Sequence, residues 1–212
     1  MTGRSPKYLL VSIYFLSLCL LILAPPDAVA EGFQITSFMG YRMGGQFEEA
    51  GTGVELDVAE EATYGIVIDM DVSPGKQYEF FYSYQSSRLT SGGTVDPNAL
   101  IDMDVEYFQF GGRDYWDKGA ARTFIVGSVG ATHFDLQSSG LGAETRFSIS
   151  AGGGVELAVS ERVGIRLEGR GFATFFDGEG SFFCDSSSGC VILVSTEVFL
   201  QFEVGAGLTF KF

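Results

Sequence analysis

The chain ends in Val198–Phe212, with the sequence VFLQFEVGAGLTFKF, and this stretch carries the clearest pattern in the chain. Every second residue from Val198 to Phe212 is apolar, and the residues between them are mostly polar or small. A period of two residues is typical of a β-strand that has one apolar face. The alternation continues well past a usual strand of about 5–6 residues. It matches a tilted strand that crosses a membrane, which needs about 9–11 residues.

The same alternation recurs along the chain after residue 30. We predict eight strands, with the bounds 32–44, 62–72, 76–87, 101–113, 121–134, 145–159, 163–176 and 196–212. In the fourth strand the pattern fails at Phe108–Gly111, which requires either a β-bulge or an aromatic side chain in the interior. The fifth strand, Arg122–Phe134, can be read with either set of alternate residues facing inward.

The connections between the predicted strands alternate in length. Three are tight, around Pro74, in residues 114–120 and around Glu161, and the other four are longer and polar. This is typical of an up-and-down β-barrel with one end in the periplasm and the other outside the cell. In lipid every backbone N–H and C=O must be paired within the protein, so a membrane-spanning sheet must close on itself. We therefore predict an all-β fold, an eight-stranded antiparallel transmembrane β-barrel.

Composition excludes several other classes of protein. The 212 residues include 29 Gly, 20 Phe and 9 Tyr, and the formal net charge is −14. Such an acidic chain lacks the cationic surface that nucleic-acid binding requires. One His and three Cys are too few for a His/Cys metal centre, and we predict neither metal nor cofactor. We expect inward glycines to make room in a narrow interior, and aromatic side chains to face lipid and its interfaces. The inward glycines are Gly152, Gly154, Gly164, Gly205 and Gly207.

The first thirty residues have the three parts of a secretory signal peptide. Two basic residues precede an apolar run at positions 8–24, and Ala28 and Ala30 form an A-x-A cleavage site. The run is shorter than the about 20 apolar residues of a membrane-spanning helix, and two prolines stop it. We predict a helical signal peptide at 1–30 that is cleaved after export through the Sec pathway, and a barrel domain at 31–212.

Cleavage leaves two cysteines, Cys184 and Cys190, in the mature chain. An exported protein with two cysteines in an oxidising compartment most simply forms one disulfide. We predict that this disulfide cross-links the longest loop.

Charged residues of both signs occupy inward positions of the last three strands. They are Arg146, Glu156, Arg166, Glu168, Arg170, Glu203 and Lys211. Because an unpaired buried charge is very costly, these side chains must pair. We interpret them as a salt-bridge network that plugs the lumen; the alternative is the lining of a gated or selective pore.

The last residues are similar to the C-terminal β-signal of Gram-negative outer-membrane proteins, in which a glycine precedes alternating aromatics that end in Phe. Gly207, Phe210 and Phe212 are the matching positions. With the signal peptide, the Gly152–Val155 run and the Arg166–Arg170 run, the mature chain resembles the small eight-stranded OmpA/OmpW-type barrels, often described as porin-family proteins. The resemblance implies insertion by the barrel-assembly machinery into the outer membrane of a Gram-negative bacterium, among lipid and lipopolysaccharide. We expect a monomer.

An enzyme is the less favoured interpretation. The chain also resembles in size the PagL-type lipid A deacylases, which use a His, a nearby Ser and a carboxylate. His133 is the available imidazole, but position 135, where the serine would lie, is Asp135. A hydrolase needs nucleophile and base within hydrogen-bond reach, and we predict that the protein is not an enzyme.

Acidic pairs raise the question of a divalent cation. Asp69/Asp71, Asp102/Asp104 and the acidic first long loop carry the oxygen ligands that Ca²⁺ or Mg²⁺ prefers. We favour a solvated acidic surface over a cation site.

We predict a structural or surface-interaction role in the outer membrane. The alternative is a conduit for small hydrophobic molecules or a narrow porin. A lateral opening lined by apolar inward residues, such as Phe38, Phe81, Phe108 or Phe172, would favour the conduit.

Overall fold

The structure is a computed structural model that describes residues 32–48, 55–91, 101–136, 143–176, 180–185, 189–194 and 197–212. The predicted signal peptide and its cleavage site lie outside these residues. The twelve strands are β1 (Phe33–Gly44), β2 (Gln46–Glu48), β3 (Glu55–Val58), β4 (Glu61–Ser73), β5 (Lys76–Ser91), β6 (Ile101–Lys118), β7 (Ala121–Leu136), β8 (Glu144–Ala158), β9 (Val163–Phe175), β10 (Gly180–Asp185), β11 (Gly189–Val194) and β12 (Val198–Lys211). All of them lie in one compact unit, Gly32–Lys211.

Eight of these strands form a closed antiparallel ring. Going around it, β1 pairs with β4, followed by β5, β6, β7, β8, β9 and β12, and β12 pairs again with β1. Closure leaves no free sheet edge in the ring, so the backbone groups of every wall strand have partners on both sides. The prediction of an eight-stranded antiparallel barrel is confirmed. Among the described residues, no helix is long and apolar enough to cross a bilayer.

The barrel has two unlike ends. We call the turn end the one closed by the short connections 74–75, 119–120 and 159–162. The loop end carries the four long connections, 45–60, 92–100, 137–143 and 176–197. Four short strands that the alternation did not predict lie at the loop end. Of these, β3 pairs with β2 on one side and with the wall strand β5 on the other. The other two, β10 and β11, form a separate hairpin.

Alternation divides the side chains of each wall strand between the lumen and the outer wall. On the outside, uncharged and mostly apolar residues form a continuous belt between the two ends. Its largest exposed members include Met39, Tyr64, Phe80, Phe110, Ile125, Val129, Phe147, Leu167, Leu200 and Leu208. In β7 the even-numbered residues face the lumen, among them Phe124, Ser128 and Phe134, which decides the strand whose pattern was ambiguous.

The strand β6 shows how the ambiguous pattern at Phe108–Gly111 is resolved. Its pairing with β5 and β7 runs without a register shift through this segment, so the alternative of a β-bulge is wrong. Instead the buried Tyr107 lies in the lumen, while Phe108 and Phe110 face outward. An aromatic interior, rather than a change in backbone register, explains the pattern.

Aromatic residues are not confined to the outer wall, and the expectation that they face lipid is wrong for many of them. The buried rings are Phe47, Phe81, Tyr107, Phe124, Phe134, Phe172, Phe176 and Phe199. The lumen glycines make room for these rings. A Cβ on Gly154 would lie 2.8 Å from the ring of Phe124, and one on Gly207 would lie 2.8 Å from Cβ of Phe38. At Gly154 and Gly207 the absence of a side chain therefore leaves room both for an aromatic residue and for the neighbouring backbone.

Candidate functional site

The lumen contains eight charged side chains that contact each other in one network, which we call the ionic cluster. Its members are Asp69, Glu79, Arg113, Glu156, Arg166, Glu168, Arg170 and Lys211. They come from six different wall strands and comprise four cations and four carboxylates. Equal numbers of opposite charges let the cluster lie inside the barrel without a net buried charge.

Arg166 lies at the centre of the ionic cluster. Its guanidinium contacts Asp69 at 3.0 Å, Glu79 at 2.6 Å and Glu168 at 2.6 Å. Arg170 shares two of these partners, with Glu79 at 2.5 Å and Glu168 at 2.6 Å. Charge-assisted hydrogen bonds of this kind are about twice as strong as neutral ones, and their geometry fixes the side chains across the lumen.

Arg113 extends the cluster towards the turn end. It contacts Asp69 at 3.1 Å and Glu156 at 3.0 Å, and Lys211 contacts Glu156 at 2.6 Å. Arg113 and both of its carboxylate partners are buried. The cluster thus runs from the middle of the lumen to the end of the last strand.

A second, smaller ion pair lies on the loop-end side of the cluster. Arg42 contacts Glu203 at 2.8 Å, and Ser83 donates a hydrogen bond of 2.8 Å to the same carboxylate. The Arg42 guanidinium also lies 4.6 Å from the ring centre of Tyr107. This pair forms the boundary between the charged half of the lumen and an aromatic half.

Aromatic rings cover the faces of the arginines. Arg113 lies 4.0 Å from the ring centre of Phe124, and Arg170 lies 4.0 Å from that of Phe81. Such cation–π contacts stabilise a desolvated guanidinium by about 2 kcal/mol. They also fill space that water would otherwise occupy.

Little free volume remains between these side chains. A cavity of about 20 Å³ lies beside Phe38, Phe81, Glu168 and Arg170, which is room for about one water molecule. These side chains fill the interior that an eight-stranded barrel encloses, which is just wide enough to hold them.

The predicted lumen residues are only partly brought together. Arg166, Glu168 and Arg170 lie side by side, and Glu156 joins them through Arg113. Two of the predicted residues lie elsewhere. Glu203 pairs with Arg42, and Arg146 pairs with Glu144 at 2.7 Å near the loop end, outside the ionic cluster.

Four buried members of the two networks were missed from sequence, namely Arg42, Asp69, Glu79 and Arg113. Arg42, Asp69 and Glu79 occupy inward positions of strands whose alternation was predicted, and those positions were the signal that could have identified them. Arg113 lies in β6, where the alternation was ambiguous, and only the structure places it inward. Asp69 also corrects the interpretation of the Asp69/Asp71 pair as part of a solvated acidic surface. It is buried between two arginines, whereas the exposed Asp71 accepts a hydrogen bond of 2.7 Å from Gln77.

The remaining predicted residues lie apart from the lumen charges. His133 faces outward, and its Nδ1 lies 2.8 Å from Oγ1 of Thr145 on the neighbouring strand. Asp135 lies on the same outward face. Phe212 is 42% exposed, and Gly207 faces the lumen beside Phe38. Phe210 pairs with Ile35 of β1 and Val163 of β9.

Cys184 and Cys190 are direct partners in the register of the β10–β11 hairpin. Directly opposed residues of antiparallel strands have Cα atoms about 4.5–5.5 Å apart, within the range that a disulfide spans. Their side chains lie outside the described part of the structure, and the disulfide stays a prediction.

Charge is distributed very unevenly between the ends. The four long connections at the loop end contain ten acidic residues and no Lys or Arg. These are Glu48, Glu49, Glu55, Asp57, Glu60, Asp96, Asp177, Glu179, Asp185 and Glu197. The lumen, in contrast, holds equal numbers of acidic and basic members in its two networks. The acidic excess of the chain therefore belongs mainly to its loop end.

Comparisons with known proteins show the fold and not the family. No family model matches the chain, and no curated protein matches it. Among solved structures, neisserial surface protein A has a TM-score of 0.59 and 13% identity, over 86% of this chain and 98% of that one. The outer-membrane protein AlkL, in lipid bilayers, has a TM-score of 0.55 and 14% identity, over 89% and 95%. The chain therefore has the eight-stranded barrel fold seen in these outer-membrane proteins.

Proposed function

We propose that the protein is an integral outer-membrane β-barrel of a Gram-negative bacterium, with a closed lumen and a structural or surface-interaction role. The filled, charge-balanced lumen is the observation that carries this proposal. In the proposed orientation the turn end lies in the periplasm and the loop end outside the cell, as the short and long connections favour.

The outer wall supports the membrane location. A belt of exposed Leu, Ile, Val, Met and aromatic side chains surrounds the barrel between its ends. A soluble protein rarely exposes an apolar patch of more than a few hundred Å², and a continuous belt of this kind is instead the surface that lipid covers. Heat-modifiable migration in detergent gels tests the membrane barrel. Equal migration of boiled and unboiled protein would count against it.

The lumen supports a closed barrel rather than a porin. The ionic cluster spans the interior from β4, β5 and β6 to β8, β9 and β12, and the cavity beside it holds about one water molecule. We expect near-zero conductance after reconstitution into planar bilayers, with a general porin as the positive control. Stable single-channel steps from the pure protein would show that the lumen is not closed.

The loop end supports a role in surface interaction. Ten acidic residues without a basic one create a strongly negative surface, which favours partners with a positive charge. Proteoliposomes should bind to a poly-lysine surface, and the binding should weaken between 0.05 and 0.5 M salt because the Debye length falls from about 14 Å to about 4 Å. A variant in which Glu48, Asp57 and Glu60 are changed to Gln or Asn should bind less. Equal binding by this variant would contradict a role for the acidic surface.

One observation favours a second candidate, a conduit for small hydrophobic molecules. An open groove of about 700 Å³ lies between β3 and β12 at the loop end, where Gly44, Gly45, Val198 and Leu200 line it. The residues that would favour a conduit do not line this groove: Phe38, Phe81 and Phe172 pack together in the lumen, and Phe108 faces outward. An uptake defect for apolar compounds in a deletion strain would support the conduit.

A further inference from the structure

A notch interrupts the barrel wall at the loop end, between β3 and β12. The ladder between β1 and β12 stops at the pair Gly44–Gln201, while β12 continues to Val198 with β9 as its one described partner. Gly44 and Gly45 have φ values of +78° and +102°, which L side chains rarely adopt, and at this bend the chain leaves the wall and carries Phe47 into the lumen. The place beside Val198 is left as an open groove of about 700 Å³. A volume of this size suits a small molecule.

Hydrogen bonds fix the two sides of this groove relative to each other. The Val58 N–H donates to the Gly45 carbonyl at 2.9 Å, and Gln46 Nε2 donates to Asp57 Oδ1 at 2.8 Å. On its other side β3 pairs with the wall strand β5. The groove is therefore open in the folded barrel, and a ligand can enter it without any movement of β2 or β3. A site that is already formed costs little ordering when a ligand binds.

The groove has an apolar side and an acidic side. Val198 and Leu200 lie on the apolar side, exposed at 41% and 62%, and Leu200 is also a member of the outer belt. Asp57 and the exposed Glu60 supply carboxylates on the other side. The Leu200 carbonyl is a further acceptor, because a Cβ on Gly44 would lie 3.2 Å from it. The described lining includes no Lys or Arg.

The sign of the charge restricts what this groove can hold. The four long connections at the loop end contain no Lys or Arg, and the neighbouring Arg88 of β5 contacts Glu61 at 3.2 Å. A cation for the groove therefore comes from another molecule. The carboxylates repel an anionic lipid headgroup and favour a cationic one. The apolar side, continuous with the belt, favours an alkyl chain attached to that cation.

We propose that this groove binds a cationic amphiphile, a primary amine on a single alkyl chain. The ammonium group lies beside Asp57 and Glu60 and donates hydrogen bonds to their carboxylates and to the Leu200 carbonyl. The alkyl chain lies along Val198 and Leu200 and continues into the outer belt. Because such a molecule partitions into lipid, it reaches the groove from the membrane side. This inference rests on the membrane orientation of the proposed function and names one class of partner for its acidic surface; it concerns binding and not passage.

The test uses as its probe a dodecylamine that carries a photoreactive diazirine in the alkyl chain. The protein, in nanodiscs of phosphatidylcholine, is irradiated with increasing amounts of the probe, and mass spectrometry locates and quantifies the crosslinked residues. We expect saturable crosslinking at residues 44–46 and 198–200, with competition by unlabelled dodecylamine. Dodecanol, which has the same chain without the charge, should compete much less. Crosslinks spread over the whole belt without saturation would overturn the site, since they would report partitioning into lipid alone.

Two variants examine the acidic side and the apolar side separately. Asp57→Asn with Glu60→Gln removes the negative charge and should weaken half-saturation by the probe about tenfold. Leu200→Ala removes part of the apolar side and should weaken it about threefold. Leu208→Ala is the matched control, because Leu208 is 50% exposed on the same face of β12 but lies towards the turn end, and it should change nothing. Unchanged half-saturation in the charge-neutral variant would overturn the ammonium site.

The outcomes separate this inference from the proposed function. Loss of saturable crosslinking while poly-lysine binding and heat-modifiable migration are retained would contradict the groove alone. Leu200→Ala should weaken amine binding and leave poly-lysine binding unchanged, because it alters no charge. Unchanged amine binding in Leu200→Ala would overturn the path of the alkyl chain. If Leu200→Ala does not fold, the charge-neutral variant, which alters no belt residue, decides alone.

Discussion

At the scale of single residues, the lumen depends on compensation between opposite charges. Arg166 contacts three carboxylates, and its side chain is almost fully buried. Removing one partner of such a network leaves the others charged in a medium that solvates them poorly. The ionic cluster is therefore sensitive to the loss of any central member.

We predict that Arg166→Leu lowers the free energy of unfolding by about 3–5 kcal/mol, because three carboxylates lose their shared cation. Arg88→Leu is the matched control. Arg88 contacts Glu61 at 3.2 Å with both side chains exposed, and such a pair is worth about 0–1 kcal/mol. Urea unfolding in lipid vesicles measures both variants. Similar stability losses for the two would mean that the ionic cluster does not stabilise the barrel.

The packing of glycines against rings makes a second prediction at this scale. A Cβ on Gly154 would meet the ring of Phe124 and the backbone of the next strand, whereas one on Gly127 would meet nothing within 4 Å. Gly154→Ala should therefore cost about 1–3 kcal/mol of unfolding free energy. Gly127→Ala should be neutral or slightly stabilising, because alanine reduces the entropy of the unfolded chain. The same urea titration compares them, and equal midpoints would contradict this packing.

At the scale of elements, the closing strand β12 has a structural role, and we propose that it also has a role in assembly. It pairs with β1 and β9 along almost its whole length and completes the ring. Its last residues also resemble the signal that the barrel-assembly machinery reads. These two roles can be separated by experiment, because Phe212 is partly exposed beyond the end of the strand.

We predict that Phe212→Gln reduces the amount of folded barrel in the outer membrane of cells several-fold. Refolding of the purified variant into detergent should change little, because the substituted side chain lies outside the ladder of β12. Heat-modifiable protein in membrane fractions and in refolding reactions measures the two effects. Normal assembly in cells would show that the C-terminus is not the signal.

The β10–β11 hairpin makes a prediction about the disulfide. If Cys184 and Cys190 are joined, neither should react with iodoacetamide in denaturant until a reductant is added, and intact-mass spectrometry counts the adducts. A loop this short gives a stabilisation of about 2 kcal/mol, and this should be confined to the hairpin. Cys184→Ser with Cys190→Ser should therefore leave the unfolding midpoint of the barrel nearly unchanged. Alkylation of both thiols without reductant would contradict the disulfide.

At the scale of the whole molecule, the charge separation is the property that the proposed role depends on. The lumen networks are balanced, the outer belt is uncharged between the ends, and the long connections are acidic throughout. In the proposed role, the neutral, filled lumen gives rigidity without a channel, and the acidic loop end is the surface that partners meet. Zero conductance together with salt-sensitive binding to a cationic surface is the combined result that we expect for the whole protein.

The fold follows from the amino-acid sequence alone, because a two-residue period repeats over lengths that only a membrane-spanning strand needs. Six of the eight wall strands could be assigned an inward and an outward face on the same ground, and the inward positions of Asp69 and Glu79 were already visible. Which charges meet could not be derived, since Arg166 and Asp69 are brought together only by the ring order and the stagger of the strands. Tertiary structure alone decided that Phe47 enters the lumen, because this depends on a bend at Gly44 and Gly45 that leaves no period in the sequence. Alternation reports which side of a wall a residue faces, and only the closed barrel determines what it meets across the lumen.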